Sequence, residues 1–308
     1  MSKPDILVIG DYPDWDREGM DAAFTPHAEP VSKDIAARIK AVAFKGHDGF
    51  SADMMDALPN LGLIANFGVG YDTIDVAAAT ARGIKVTNTP DVLTDDVADL
   101  AVGMLIAQFR QIPQADAWVR SGNWASKGHY PLLRKVSGKR VGILGLGRIG
   151  QAVAKRLAAF DMEICYWSRQ PKDTPDGWRH VATPTALAAE VDVLVVALSG
   201  GPETVGLCSA EVITALGPEG TLLNISRGTT VDEEALITAL ENGTLGGAAL
   251  DVFASEPDPD PRFAALPNVL LQPHQASGTV ETRQEMGELQ RNNMAAFFAG
   301  TPLLTPVN

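Results

Sequence analysis

The stretch Val141-Gly142-Ile143-Leu144-Gly145-Leu146-Gly147-Arg148-Ile149-Gly150 decides how this chain is read. Residues 141–144 have strand character, 145–150 spell Gly-x-Gly-x-x-Gly, and Ala152, Val153 and Leu157 continue at helical spacing. Strand, glycine turn and helix in that order form the phosphate-binding corner of a βαβ unit that takes a dinucleotide. Gly145 permits the tight turn, Gly147 lets a pyrophosphate approach the backbone, and Gly150 allows the helix to lie close to the strand. Leu146, Arg148 and Ile149 complete the loop, and the first helical N–H groups face the phosphates.

The end of the next strand reports which dinucleotide. An NAD site places an Asp or Glu about 20 residues on, to accept hydrogen bonds from the ribose hydroxyls. Here Tyr166-Trp167 is followed by Ser168-Arg169, with no carboxylate to repel a 2′-phosphate. Arg169 can make charge-assisted hydrogen bonds to that phosphate and Ser168 a neutral one. NADP(H) is therefore the expected cofactor, with NAD(H) as the alternative.

Outward from this corner the chain alternates short apolar runs with helical patterns, the signature of parallel sheets built from βαβ units. Before it, strands are expected at 6–9, 41–44, 61–66 and 84–87. Thr94, a good N-cap, opens a helix expected over 95–110, with Asp95 and Asp96 complementing its dipole. The segment from Arg110 to Tyr130 reads as an irregular connection. After it, strands are expected at 140–144, 163–167, 191–197, 220–224, 247–250 and 269–271, with helices at 209–216, 231–241 and 281–298. The fold class is thus α/β, with two Rossmann-like, doubly wound parallel-sheet domains and an active-site cleft between them.

Three polar residues follow strands of the second unit, where such sheets place their ligands. Arg227 follows Asn224-Ile225-Ser226, Glu256 follows Asp251-Val252-Phe253, and His274 follows Gln272-Pro273. Facing a nicotinamide, they would suffice for hydride transfer to a 2-oxo acid. The planar fork of Arg227 would hold the substrate carboxylate or carbonyl. His274 would give a proton to the carbonyl oxygen, and Glu256 would orient the imidazole. The other histidines, His27, His47, His129 and His180, lack this setting. His129 could at most line a substrate pocket.

Composition narrows the alternatives. The 308 residues carry 25 Lys and Arg against 38 Asp and Glu, a net charge of −13. That balance argues against a nucleic-acid partner, which needs a basic surplus. No apolar run approaches the ~18 residues of a membrane span, and Met1 to Ile9 is too short for a signal segment. Two cysteines, Cys165 and Cys208, can form neither a disulfide framework nor a cysteine zinc site, and no metal is expected. The cytoplasm is the default compartment.

Taken together, Gly145-Leu146-Gly147-Arg148-Ile149-Gly150, Asn224-Ile225-Ser226-Arg227-Gly228, Leu250-Asp251-Val252-Phe253 with Glu256-Pro257, and Pro273-His274 resemble the D-isomer-specific 2-hydroxyacid dehydrogenase family. Asn66-Phe67-Gly68-Val69-Gly70 and Asn88-Thr89-Pro90 extend the resemblance over nearly the whole chain. It implies the catalytic roles above for Arg227, Glu256 and His274, and substrate-carboxylate binding by the amides of Val69 and Gly70. It implies cofactor contacts at Thr94, Leu198, Ile225 and Asp251. It further implies a discontinuous substrate domain, 1–98 plus 284–308, around a cofactor domain at 99–283, and a homodimer for which Trp118 and Trp124 are candidate anchors. Within the family, Ser168-Arg169 and the C-terminal sequence look like the NADPH-dependent glyoxylate/hydroxypyruvate reductases. Two departures are Gln275 beside His274, and Gly200-Gly201 in a loop expected over the cofactor. The competing readings are an NAD(P)-dependent dehydrogenase for bulkier 2-oxo acids such as pyruvate or phenylpyruvate, a dinucleotide-sensing interaction protein of the corepressor sort, and a nucleotide-binding module without redox chemistry. The complete set Arg227, Glu256 and His274 weighs against the last two.

Overall fold

Strands of four or five residues that are apolar on both faces need a layer of helices on each side, and this requirement organises the molecule. A computed structural model describes residues 3–46 and 49–308. The chain divides into two compact units, Met1–Leu93 with Ser277–Asn308, and Thr94–Ala276. The expected divisions, after residues 98 and 283, fall a few residues further along the chain at both places.

The first unit begins β1 (Asp5–Ile9), α1 (Asp14–Ala23), β2 (Thr25–Ala28), α2 (Lys33–Ala36), β3 (Ala41–Phe44), α3 (Ala52–Asp56), β4 (Leu63–Asn66), α4 (Val76–Ala81) and β5 (Lys85–Thr87). All five strands are parallel, in the order β2-β1-β3-β4-β5. Every residue of β3 and β4 is buried. Phe44 and Phe50 meet edge to face, their centroids 5.5 Å apart, in a core with Val42, Ile64, Ile84 and Val86. The strand β2 was not expected. It is a half-exposed edge strand containing Pro26, a residue tolerated only at an edge, and so has no apolar run to announce it.

The second unit continues with α5 (Thr94–Phe109), α6 (Ile112–Arg120), α7 (Asn123–Lys127), β6 (Arg140–Leu144), α8 (Arg148–Ala158), β7 (Glu163–Trp167), β8 (Arg179–His180), α9 (Pro184–Glu190), β9 (Val193–Val196), α10 (Ala210–Leu216), β10 (Thr221–Asn224), α11 (Glu233–Glu241), β11 (Gly247–Leu250) and β12 (Val269–Leu271). Its seven strands are parallel in the order β12-β11-β10-β9-β6-β7-β8. The strand order therefore reverses between β6 and β9, the switch point at which such sheets hold dinucleotides. Arg156 of α8 binds Asp99 (2.5 Å) and Asp95 (2.9 Å) of α5 and pins the two helices together.

The expected irregular connection between Arg110 and Tyr130 is wrong. It contains α6 and α7, each entered through a left-handed residue, Gln111 (φ 43°) before α6 and Gly122 (φ 74°) before α7. Neither helix buries a residue, although Ile112, Ala115 and Val119 recur at helical spacing along α6.

The last helix, α12 (Val280–Ala299), is capped by Thr279, whose hydroxyl accepts the Thr282 amide at 3.2 Å. It packs on α1 and β4 of the first unit. Its buried Gln290 donates to the Ala65 carbonyl of β4 (2.7 Å) and to Tyr12 (3.0 Å). The chain then runs beside β5, where the Asn308 side chain accepts the Val86 amide at 2.8 Å. Among the described residues no helix is long and apolar enough to cross a membrane.

Candidate active site

In the second unit the residues singled out above, Thr94 apart, lie at the carboxyl ends of the strands of one sheet. Gly145, directly after β6, has φ +100°, and a Cβ there would stand 2.7 Å from the Ala197 carbonyl oxygen after β9. At Gly150 a Cβ would stand 2.2 Å from the Gly145 carbonyl oxygen, so the helix can start this close to the strand only without a side chain. Around Gly147 no atom lies within 4 Å of a Cβ position. The corner thus leaves open space in front of the α8 N-terminus, which suits a pyrophosphate. Leu146 is buried, so its part in the loop falls to its backbone; Arg148 is exposed and Ile149 half-buried.

Ser168 and Arg169 leave the end of β7. The Ser168 hydroxyl donates to the Gln170 carbonyl (2.6 Å), and His180 Nε2 lies 3.1 Å from the Ser168 carbonyl. Arg169 is exposed and paired with Glu203. Leu198 follows β9, and its carbonyl accepts the Ser226 hydroxyl at 2.8 Å. Ile225, buried, follows β10.

His274, Glu256 and Arg227 come from the ends of three neighbouring strands, β12, β11 and β10. His274 Nδ1 lies 2.6 Å from Glu256 Oε2. The other Glu256 oxygen accepts the Phe253 amide at 2.8 Å, so the carboxylate is fixed before it meets the imidazole. A carboxylate on Nδ1 selects the tautomer and turns Nε2 outward. The Arg227 loop packs on the same segment, since a Cβ on Gly228 would fall 1.8 Å from the Phe253 carbonyl carbon. Asn224 and Thr230 both donate to the Arg227 carbonyl, at 3.0 and 2.7 Å, and fix the backbone that carries the guanidinium.

Asp251 has a further role that strand-end reasoning missed. His274 is left-handed, with φ +50°, a conformation that costs a non-glycine residue energy. The amides of the next two residues, Gln275 and Ala276, donate to the two oxygens of Asp251 at 2.9 and 3.0 Å. Burial pushes the Asp251 carboxyl up, against the opposing pull of those amides. A buried carboxylate thus holds the turn that presents His274. The only legible sign of it was the presence of an Asp among apolar strand residues.

In the first unit, 68–70 follow β4. The Asn66 side chain donates to the carbonyls of Gly68 (3.1 Å) and Gly70 (2.8 Å), Asn88 to that of Val69 (2.9 Å), and the Thr89 amide to that of Gly68 (2.9 Å). A loop whose carbonyls are all tied back presents its amides, the arrangement of an anion-binding nest.

The remaining histidines stand apart from this chemistry. His27 lies 2.6 Å from Asp5, His180 packs on Tyr166 with centroids 5.3 Å apart, and His129 is exposed. His47 lies outside the described residues. Both thiols are buried, and burial pushes Cys208 up to about 12. A cavity of about 320 Å³ lined by Phe109, Arg134, Gly246 and Asn268 opens at the amino ends of β11 and β12, whereas Glu256 and His274 follow their carboxyl ends.

The family described as D-isomer specific 2-hydroxyacid dehydrogenase, NAD binding domain, matches residues 102–276. The chain belongs to the D-isomer-specific 2-hydroxyacid dehydrogenases. It is similar to a hydroxyphenylpyruvate reductase of Plectranthus scutellarioides, 48% identical over 91% of this chain and 90% of that one. A 2-ketogluconate reductase of Gluconobacter oxydans is 45% identical over 99% of both. Among solved structures, an NADPH-dependent glyoxylate/hydroxypyruvate reductase of Sinorhizobium meliloti, in complex with NADP and malonate, is 44% identical over 99% of this chain and 97% of that one, with a TM-score of 0.95. The protein is accordingly an oxidoreductase with a Rossmann domain for NAD(P). The resemblance read from its motifs holds, as does the expected fold class of two parallel-sheet α/β domains.

Proposed function

We propose that this dehydrogenase reduces small 2-oxo acids, glyoxylate and hydroxypyruvate, to D-2-hydroxy acids with NADPH. The observation that carries the reading is the 2.6 Å contact of His274 with Glu256 at the carboxyl edge of a dinucleotide-binding sheet. In this reading the amides of Val69 and Gly70 hold the substrate carboxylate, and Arg227 holds the carboxylate or the carbonyl oxygen as a planar donor. His274 gives its Nε2 proton to that oxygen, while Glu256 keeps the imidazole oriented. When bound, a reduced nicotinamide would supply the hydride for the carbonyl carbon. The loop 145–150 takes its pyrophosphate, Ser168 and Arg169 its 2′-phosphate, and Thr94, Leu198, Ile225 and Asp251 its nicotinamide half. Substrate binding is assigned to 1–98 with 284–308, and cofactor binding to 99–283.

The same reading includes a homodimer, supported by the exposed apolar side chains Ile112, Val119, Trp124 and Leu132 on one stretch of chain. Trp118 contributes less, because it packs within its own segment against Tyr130 and its indole donates to the Gly128 carbonyl. A reducing compartment, the cytoplasm, suits two unpaired thiols.

A second reading, reduction of bulkier 2-oxo acids, is favoured by the hydroxyphenylpyruvate and 2-ketogluconate reductases that this chain resembles. Steady-state kinetics with NADPH and NADH on glyoxylate, hydroxypyruvate, hydroxyphenylpyruvate and 2-ketogluconate separate the two. The proposal expects the highest kcat/KM for glyoxylate or hydroxypyruvate with NADPH. A higher value for either bulky acid replaces it with the second reading.

A further inference from the structure

The guanidinium assigned to the 2′-phosphate already has an anionic partner. Arg169 Nη1 lies 2.6 Å from Glu203 Oε2, with side chains 81% and 77% exposed. Glu203 sits in the short turn Pro202–Thr204, on the loop that leaves β9 through Gly200-Gly201, whereas Arg169 leaves β7. Since β9 and β7 are the two neighbours of β6, the pair joins the loops on either side of the strand that feeds the glycine turn. Both ends are set by local hydrogen bonds. The Thr204 hydroxyl donates to the Ser199 carbonyl (2.7 Å) and the Gly201 carbonyl (3.0 Å), and the Ser168 hydroxyl donates to the Gln170 carbonyl (2.6 Å).

We propose that Glu203 is a cofactor-selectivity residue, whose carboxylate competes with the 2′-phosphate for Arg169 and moderates the preference for NADPH over NADH. This rests on the reading that Arg169 receives the phosphate. A phosphate monoester carries roughly −1.5 to −2 charges at neutral pH. At Arg169 it must share the guanidinium with Glu203 or displace it, and in either case the carboxylate stays tethered on a hydrogen-bonded turn nearby and repels it. The 2′-hydroxyl of NADH is uncharged and can donate to that same carboxylate, so it meets no such opposition. Glu203 thus brings from the β9 loop a carboxylate of the kind that NAD sites carry at the end of the second strand. Exposed ion pairs are weak, so the pair opens to NADPH but lessens the gain from Arg169.

Direct cofactor binding to the whole enzyme, read by quenching of intrinsic tryptophan fluorescence, tests this without turnover. Glu203→Gln is expected to tighten NADPH about fivefold, the effect of removing one like charge a few ångströms away in water, and to leave NADH within about twofold. Arg169→Ala is the control and is expected to weaken NADPH while sparing NADH. If Arg169→Ala weakens both cofactors alike, the phosphate site is misassigned and the inference falls with it. If Arg169→Ala is selective but Glu203→Gln leaves the ratio of the two Kd values unchanged, the role of Glu203 alone is overturned.

Discussion

His274, the proposed proton donor, shows how much a single residue draws from its surroundings. Its ring meets Glu256, its backbone is left-handed, and the two amides after it are held by a buried Asp251. Three carboxylate oxygens therefore shape one imidazole. Replacing it should remove proton donation without disturbing the glycine corner, which lies across the sheet after β6. We expect His274→Ala to lower kcat for 2-oxo acid reduction by about 10²- to 10⁴-fold, with the Kd for NADPH changed little. Unchanged turnover in stopped-flow assays would refute the proton-donor role. At this scale the groups proposed for the chemistry stand out in the sequence, since Arg227, Glu256 and His274 each follow an apolar strand. The groups that brace the loops were not legible: Asn66 and Asn88 tie down 68–70, and Asp251 the turn after His274, through bonds to backbone groups that only the folded chain brings within reach.

Elements were legible where burial had written a pattern. β6, β7, β11 and β12 fall where the apolar runs placed them, and β9 and β10 within two residues at each end. Among the misses, β2 and β8 are edge strands, α6 and α7 bury no residue, and α9 is only seven residues long and buries just Leu187 and Ala188, too short a run to show a helical period. The amino ends of the central strands also depend on an ion pair that propensity does not foretell. Asp192, just before β9, binds the Arg140 guanidinium (3.1 Å) and the Arg140 amide (2.9 Å) at the start of β6. Burial works to raise its carboxyl, but these bonds outweigh it and hold the group below the usual range. A lowered carboxyl contributes stability above its unfolded value and loses it as the pH falls through the folded one. Asp192→Asn should therefore cost about 1 kcal/mol at pH 7. The difference from the parent should shrink as the pH drops below about 3.9. Urea unfolding at pH 7 and pH 3 checks this, and an equal difference at both would exclude the linkage.

For the whole molecule, each unit obeys the doubly wound rule on its own. The first has the order 2-1-3-4-5, and the second reverses between β6 and β9. Association is the property proposed at this scale. Trp124 is 59% exposed on α7, and a large exposed aromatic ring is a typical anchor of an interface. Trp124→Glu should weaken the proposed dimer by roughly 30-fold, as expected for loss of an anchor of about 2 kcal/mol. Sedimentation velocity at micromolar protein would show the shift to monomer, and an unaltered sedimentation coefficient would remove Trp124 from the interface.

By itself the sequence determined the α/β class, the glycine corner, the places of most buried strands along the chain and the three groups proposed for the chemistry. Each of these depends on residue type and near-neighbour spacing, which a linear string preserves. The pairing of Glu256 with His274 was expected, but tertiary structure alone decided the others, Asp251 under the turn after His274 and Glu203 across from Arg169. Those pairings join residues 18 to 34 positions apart, through loops whose course is set by packing of the whole sheet. No local preference encodes the distance between two charges that meet only when several strands have found their neighbours.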